Sequence, residues 1–83
     1  MIELKETLEE MRGKYVDIYT EHKFFGSQHI KMKFEPETKI GYGFHCGEQI
    51  IYIRDNEVVS YIIKEHGVNI NGRNTIINIT ITS

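Results

Sequence analysis

Apolar and polar positions change period several times along the 83-residue chain, and each change marks an element. Residues 2–12 repeat at helical spacing: Leu4, Leu8 and Met11 form one apolar stripe, and Lys5 and Glu9 make an i,i+4 pair. Gly13 is a good helix stop. A helix this short is unstable alone in water, so it must lie on the rest of the fold. From residue 14 the period is two. Val16 and Ile18 share one face of a strand over 14–21, and Tyr15, Asp17 and Tyr19 share the other. Residues 22–28, HKFFGSQ, read as a loop.

Three hairpins are predicted beyond it. In the first, residues 29–35 pair with 39–46 across Pro36–Thr38, setting Phe34 against Ile40, Met32 against Tyr42 and Ile30 against Phe44. A one-residue slip would scramble the faces, so the pattern selects this register. On the opposite face it sets Lys33 against Gly41, Lys31 against Gly43 and His29 against His45. Alternating glycines in a strand mean either a bend or the close approach of a backbone or ligand. The second hairpin is Ile50–Lys64, reversing at Asp55–Asn56, with Arg54 opposite Glu57 and Ile53 opposite Val58. Its first arm is apolar on both faces, as a central strand would be. The third spans 67–82 and turns at Asn71–Gly72. Val68, Ile70, Thr75, Ile77, Ile79 and Ile81 then share a face, and residues 76–82 outrun their partner and need another strand.

The expected architecture is one domain: helix 2–12, a β-meander over 14–64 and a C-terminal hairpin over 67–82. The fold class is mainly β with one short N-terminal helix, a strongly bent antiparallel meander or small barrel. Composition agrees, since Ile occurs 14 times and Leu only twice. β-Branched residues suit pleated surfaces, although coding bias would produce the same excess. Eighty-three residues bury a modest core, so oligomerisation is a route to stability. The net charge of −2 does not suit a strongly basic nucleic-acid-binding chain. The lone Cys46 excludes an internal disulfide framework and suits a reducing compartment. No apolar run approaches a membrane span and no signal-peptide pattern opens the chain, so a cytoplasmic protein is expected.

Candidate chemistry is sparse. His22, His29, His45, Cys46 and His66 lack metal-site spacing, and His45 and Cys46 point to opposite faces of a strand. Cys46 alternates with core positions and reads as an inert thiol. No serine lies in a nucleophile elbow, and the glycines do not form a dinucleotide fingerprint. No enzyme activity and no cofactor are therefore expected. Lys31, Lys33, Lys39 and Arg54, with Tyr42, Tyr52 and Tyr61, could supply phosphate contacts and base stacking. Phe24–Phe25 either caps the core or contacts a protein partner.

Leu8, Gly13, Lys14 and Val16 at the helix-to-strand junction, with Ile53, Arg54, Asn56 and Val58 further on, give the chain a pattern that resembles the Sm-like family, which includes the bacterial Hfq proteins. The resemblance covers residues 4–63. It implies a bent five-strand barrel that assembles into a homo-oligomeric ring and binds RNA, with Arg54 and Asn56 near the RNA site. The candidate nucleic-acid residues are thus Arg54, Asn56, Lys31, Lys33, His29 and His45. The alternative expectation is a small phage or mobile-element protein that binds a host or defence protein through Phe24 and Phe25.

Overall fold

The computed structural model describes residues 2–82. The chain is mainly β with one short helix, as its residue pattern predicts, and its strands form two antiparallel sheets that do not close into a barrel. Helix α1 (Ile2–Glu10) is followed by strands β1 (Tyr15–His22), β2 (Gly26–Lys33), β3 (Pro36–Glu37), β4 (Tyr42–Cys46) and β5 (Gln49–Ile53). A 3-10 turn at Asp55–Glu57 leads into β6 (Val58–Lys64), β7 (Gly67–Gly72) and β8 (Thr75–Ile81). The larger sheet runs β2-β1-β8-β7-β6 and the smaller β3-β4-β5.

The helix ends earlier than its apolar stripe suggests. Met11 and Arg12 donate backbone bonds to the carbonyls of Leu8 and Glu9, tightening the last turn, and Gly13 reverses the chain with φ of 83°. Leu4, Leu8 and Met11 are buried as expected. The Lys5–Glu9 pair does not form: Lys5 reaches Asp55 at 3.6 Å, and Glu9 is taken by Arg12 at 2.9 Å. In β1 the alternation holds, with Val16, Ile18 and Thr20 buried and Tyr15 and Tyr19 exposed.

The expected pairing of 29–35 with 39–46 is absent. Residues 26–28 belong to a strand, and β2 folds back on β1 across Lys23–Phe25, pairing Ile30 with Ile18, Met32 with Val16 and Lys31 with Asp17. The chain then leaves the larger sheet at Phe34. That residue turns into the core, donates its N–H to the Lys14 carbonyl (2.8 Å) and accepts the Gly13 N–H (2.9 Å). Only the two residues of β3 remain to pair with β4, so Phe44 meets Pro36 and not Ile30. Ile40 is turned to solvent. The alternating glycines admit a backbone: a Cβ at Gly41 or Gly43 would collide with the carbonyl oxygens of Ile53 or Ile51 on β5.

The 50–64 hairpin is also absent. A two-residue hairpin of this type needs φ above zero in the turn. No non-glycine residue here adopts it, so Asp55 and Asn56 bend the chain without reversing it. β5 and β6 therefore lie in different sheets. β5 pairs with β4 across Gly47–Glu48, with Ile53 opposite Tyr42 and Ile51 opposite Phe44. It forms the edge of the smaller sheet, where a central strand was expected. Arg54 and Glu57 are joined by a backbone bond, Glu57 N–H to the Arg54 carbonyl at 2.9 Å.

The last hairpin forms, with a longer loop. Asn71 pairs with Ile76 and Val68 with Ile79, so the turn lies beyond Asn71 and includes Arg73 and Asn74. The shift from the expected register is an even number of positions, and so Val68, Ile70, Ile77 and Ile79 still share the buried face. The overhanging end of β8 finds its mate in β1 of the same chain, Ile79 opposite Ile18 and Ile81 opposite Val16. Both sheets contribute to one core, in which Phe34 and Phe44 pack with ring centroids 6.2 Å apart.

Gly43→Ala should destabilise the domain by about 1–3 kcal/mol, because the methyl group must force β4 and β5 apart. Urea denaturation checks this; an unchanged midpoint would show that the two backbones have room between them.

Candidate functional site

A groove runs along the free edge of β5. The His45 N–H donates toward β3, to the Glu35 carbonyl at 2.8 Å. Alternation in the ladder then directs the backbone groups of Phe44 toward Ile51, and those of Ile50 and Tyr52 away from β4, into the groove. The opposite wall is made of the ends of β1, β2 and β8 together with the loops that join the elements there. One arm, of about 270 Å³, lies between β5 and His22, Phe25 and Gln28. The other, of about 600 Å³, is lined by Arg54, Asn56, Glu57, Arg73 and Asn74. His22, Tyr52 and Thr75 line both arms.

Two backbone bonds build this site from three separate segments. The Lys23 N–H donates to the Asn74 carbonyl (2.8 Å), tying the β1–β2 tip to the β7–β8 loop. The Arg73 N–H donates to the Glu57 carbonyl (3.1 Å), tying that loop to the 3-10 turn. Gly72 makes the second contact possible, since a side chain there would press on Ile53. His22 shapes the third segment. It accepts the Phe24 N–H on Nδ1 at 3.1 Å, and its ring centroid lies 4.5 Å from that of Phe25.

The candidate residues fall into separate places. Arg54 and Asn56 meet in the larger arm. Lys31, Lys33 and His29 lie on the outer face of β2, with Lys31 opposite Asp17 and His29 in contact with the Asp17 carboxylate. His45 sits in the other sheet, 3.2 Å from Glu37, so the expected His29–His45 pairing does not exist. Phe24 and Phe25 are 71% and 86% exposed, and neither caps the core. Of the three tyrosines, Tyr42 is buried and Tyr61 packs against the core; Tyr52 alone reaches the groove. Arg73, Asn74 and His22 join the site without having been singled out by spacing. For Arg73 and Asn74 the one signal is the polar run Gly72–Thr75, which the turn pattern Asn71–Gly72 overlaps.

Arg54 and Arg73 make no ion pair among the described residues, although Glu57 shares their arm. Asp55, next to Arg54, is engaged by Lys5. Among the described residues no three His, Cys, Asp or Glu side chains converge as a metal site, and no helix is long and apolar enough to cross a membrane. No protein-family model, curated protein or solved structure matches the chain.

Beside His45, the Glu37 carboxylate accepts the Lys39 N–H at 2.7 Å and the Ile40 N–H at 3.4 Å. These bonds, Lys39 foremost, and then His45 hold its pKa below the ordinary 4.5. Glu9 is lowered likewise, mainly by Arg12 and less by Thr38. A carboxylate lowered on folding contributes stability that is complete above its unfolded pKa and is lost as pH falls through the folded value. The thermal midpoint should therefore fall as pH drops below about 4.5. Glu37→Gln keeps an acceptor oxygen and removes the charge, and should flatten part of that fall in a midpoint-against-pH series.

Proposed function

We propose that the chain is a non-enzymatic binding module that takes single-stranded RNA in the groove along β5. The observation that carries this reading is the meeting of Arg54 and Arg73, two guanidinium groups without ion-pair partners among the described residues, with a row of rings formed by Tyr52, His22 and Phe25. Guanidinium groups neutralise phosphates, and aromatic faces stack on bases irrespective of sequence. Asn56 and Asn74 add amide donors and acceptors for a base edge or a ribose. Lys31, Lys33, His29 and His45 lie outside this path, on β2 and on β4.

Homo-oligomerisation belongs to the same reading. β6 is one of the two outer strands of the larger sheet and exposes Val59 and Ile62, the kind of edge that another copy can cover. A second reading, a small mobile-element protein that binds a host or defence protein, is favoured by the exposed Phe24–Phe25 tip.

Fluorescence polarisation with A-rich and U-rich oligonucleotides at low salt should show binding. Tyr52→Ala should weaken it by about 1–3 kcal/mol, the usual worth of one stacked base. Absence of binding to both oligonucleotides would remove the RNA reading. A Phe24→Ser variant that still binds RNA and loses a specific protein captured by the wild type would favour the second.

A further inference from the structure

The groove differs from the long basic channels that hold extended nucleic acid. Its larger arm, about 600 Å³, falls within the roughly 300–1,000 Å³ typical of a small-ligand pocket. Among the described residues it holds two cations without ion pairs, Arg54 and Arg73, and carboxylates line the groove as well. Glu57 lines the same arm as the arginines, and Glu21 lines the arm beyond His22. Lys31 and Lys33, which would extend a phosphate track, lie on the outer face of β2, where Asp17 stands between Lys31 and the rest of the sheet. Across the whole chain the net charge is −2, so a long polyanion gains nothing from the wider field of the protein.

From these features we infer that the groove is a site for a phosphate ester carrying one or two bases, and that it does not track a strand. This rests on the RNA reading and narrows it. One phosphate sits between Arg54 and Arg73. A base attached to it reaches Tyr52 and His22, the residues common to both arms, and a second base ends on Phe25. The stacking side chains lie on one side of the cationic pair, so the ligand has a fixed direction: phosphate in the larger arm, base toward the smaller. The required chemistry is shared by a free nucleotide and by the phosphorylated end of an RNA.

The test is a titration of the full chain by calorimetry with a nucleoside 5′-monophosphate, a 5′-phosphorylated dinucleotide and oligonucleotides of four, eight and sixteen residues. Matched oligonucleotides without the terminal phosphate and a salt series complete it. Affinity is expected to rise from the mononucleotide to the dinucleotide. Beyond that it should increase only in proportion to the number of binding registers. Neutralising one phosphate at a single-strand site predicts a slope of log K against log salt of about −0.7 for the oligonucleotides, and Arg54→Gln and Arg73→Gln should each lower affinity without steepening that slope. Loss of binding on removing the terminal phosphate, with retention by the mononucleotide, assigns the site to a phosphate end; equal binding of each oligonucleotide with and without its terminal phosphate assigns it to an internal phosphate flanked by one or two bases. Affinity that climbs steeply through sixteen residues, with a salt slope of several contacts, overturns the short-ligand inference and leaves the RNA reading standing. No binding by any member at low salt overturns both.

Discussion

Phe34 is the residue on which the arrangement of this chain depends. Its side chain is buried against Phe44, and its backbone is locked by Gly13 and Lys14. A strand that would otherwise continue along the larger sheet is thereby pulled through the core into the smaller one. The same crossing sets the helix, because Gly13 is both the end of the helical segment and one of the two backbone partners of Phe34. Burial of the large aromatic ring costs few backbone bonds, since Phe34 keeps its place opposite Lys14 while accepting from Gly13, and the Glu35 carbonyl accepts from His45.

A second crossing, at Asp55–Glu57, returns the chain to the larger sheet and leaves β5 with one edge unpaired. The groove follows from that. Its far wall is assembled from the ends of β1, β2 and β8 and from loops held by the Lys23–Asn74 and Arg73–Glu57 backbone bonds. Function and fold thus draw on the same features. The bend that prevents a hairpin at Asp55–Asn56 also turns Arg54 and Asn56 toward Arg73. Close packing of β4 on β5, which only glycine at position 43 permits, holds the opposite side of β5 firmly while its free side stays open.

Residue pattern was a good guide to faces and a poor guide to partners. Ile18, Phe44, Val68, Ile70, Ile77 and Ile79 are all buried, as alternation required, although none of the three expected registers formed. An even shift of register leaves every face intact, so the same alternation is compatible with several pairings. Asp55–Asn56 shows the same limit in a turn: the residues tolerate a left-handed backbone but do not impose it. At the candidate site, Arg54 and Asn56 were legible through a motif resemblance. Arg73, Asn74 and His22 were not, because only the packing of three distant loops brings them there.

The amino-acid sequence by itself determined a mainly β chain with one amphipathic helix, the inward face of nearly every strand, and the lack of a recognisable catalytic or metal-binding motif. These are consequences of local period and residue chemistry, which act over a few positions. Tertiary structure alone decided that two apparent hairpins are strands bent between sheets, that Phe24 and Phe25 stand in solvent, and that Arg54 and Arg73 share one groove. Those outcomes turn on competition among distant partners for the same core: burying Phe34 and Ile53 together fixes which edges are left free, and no local pattern records that choice.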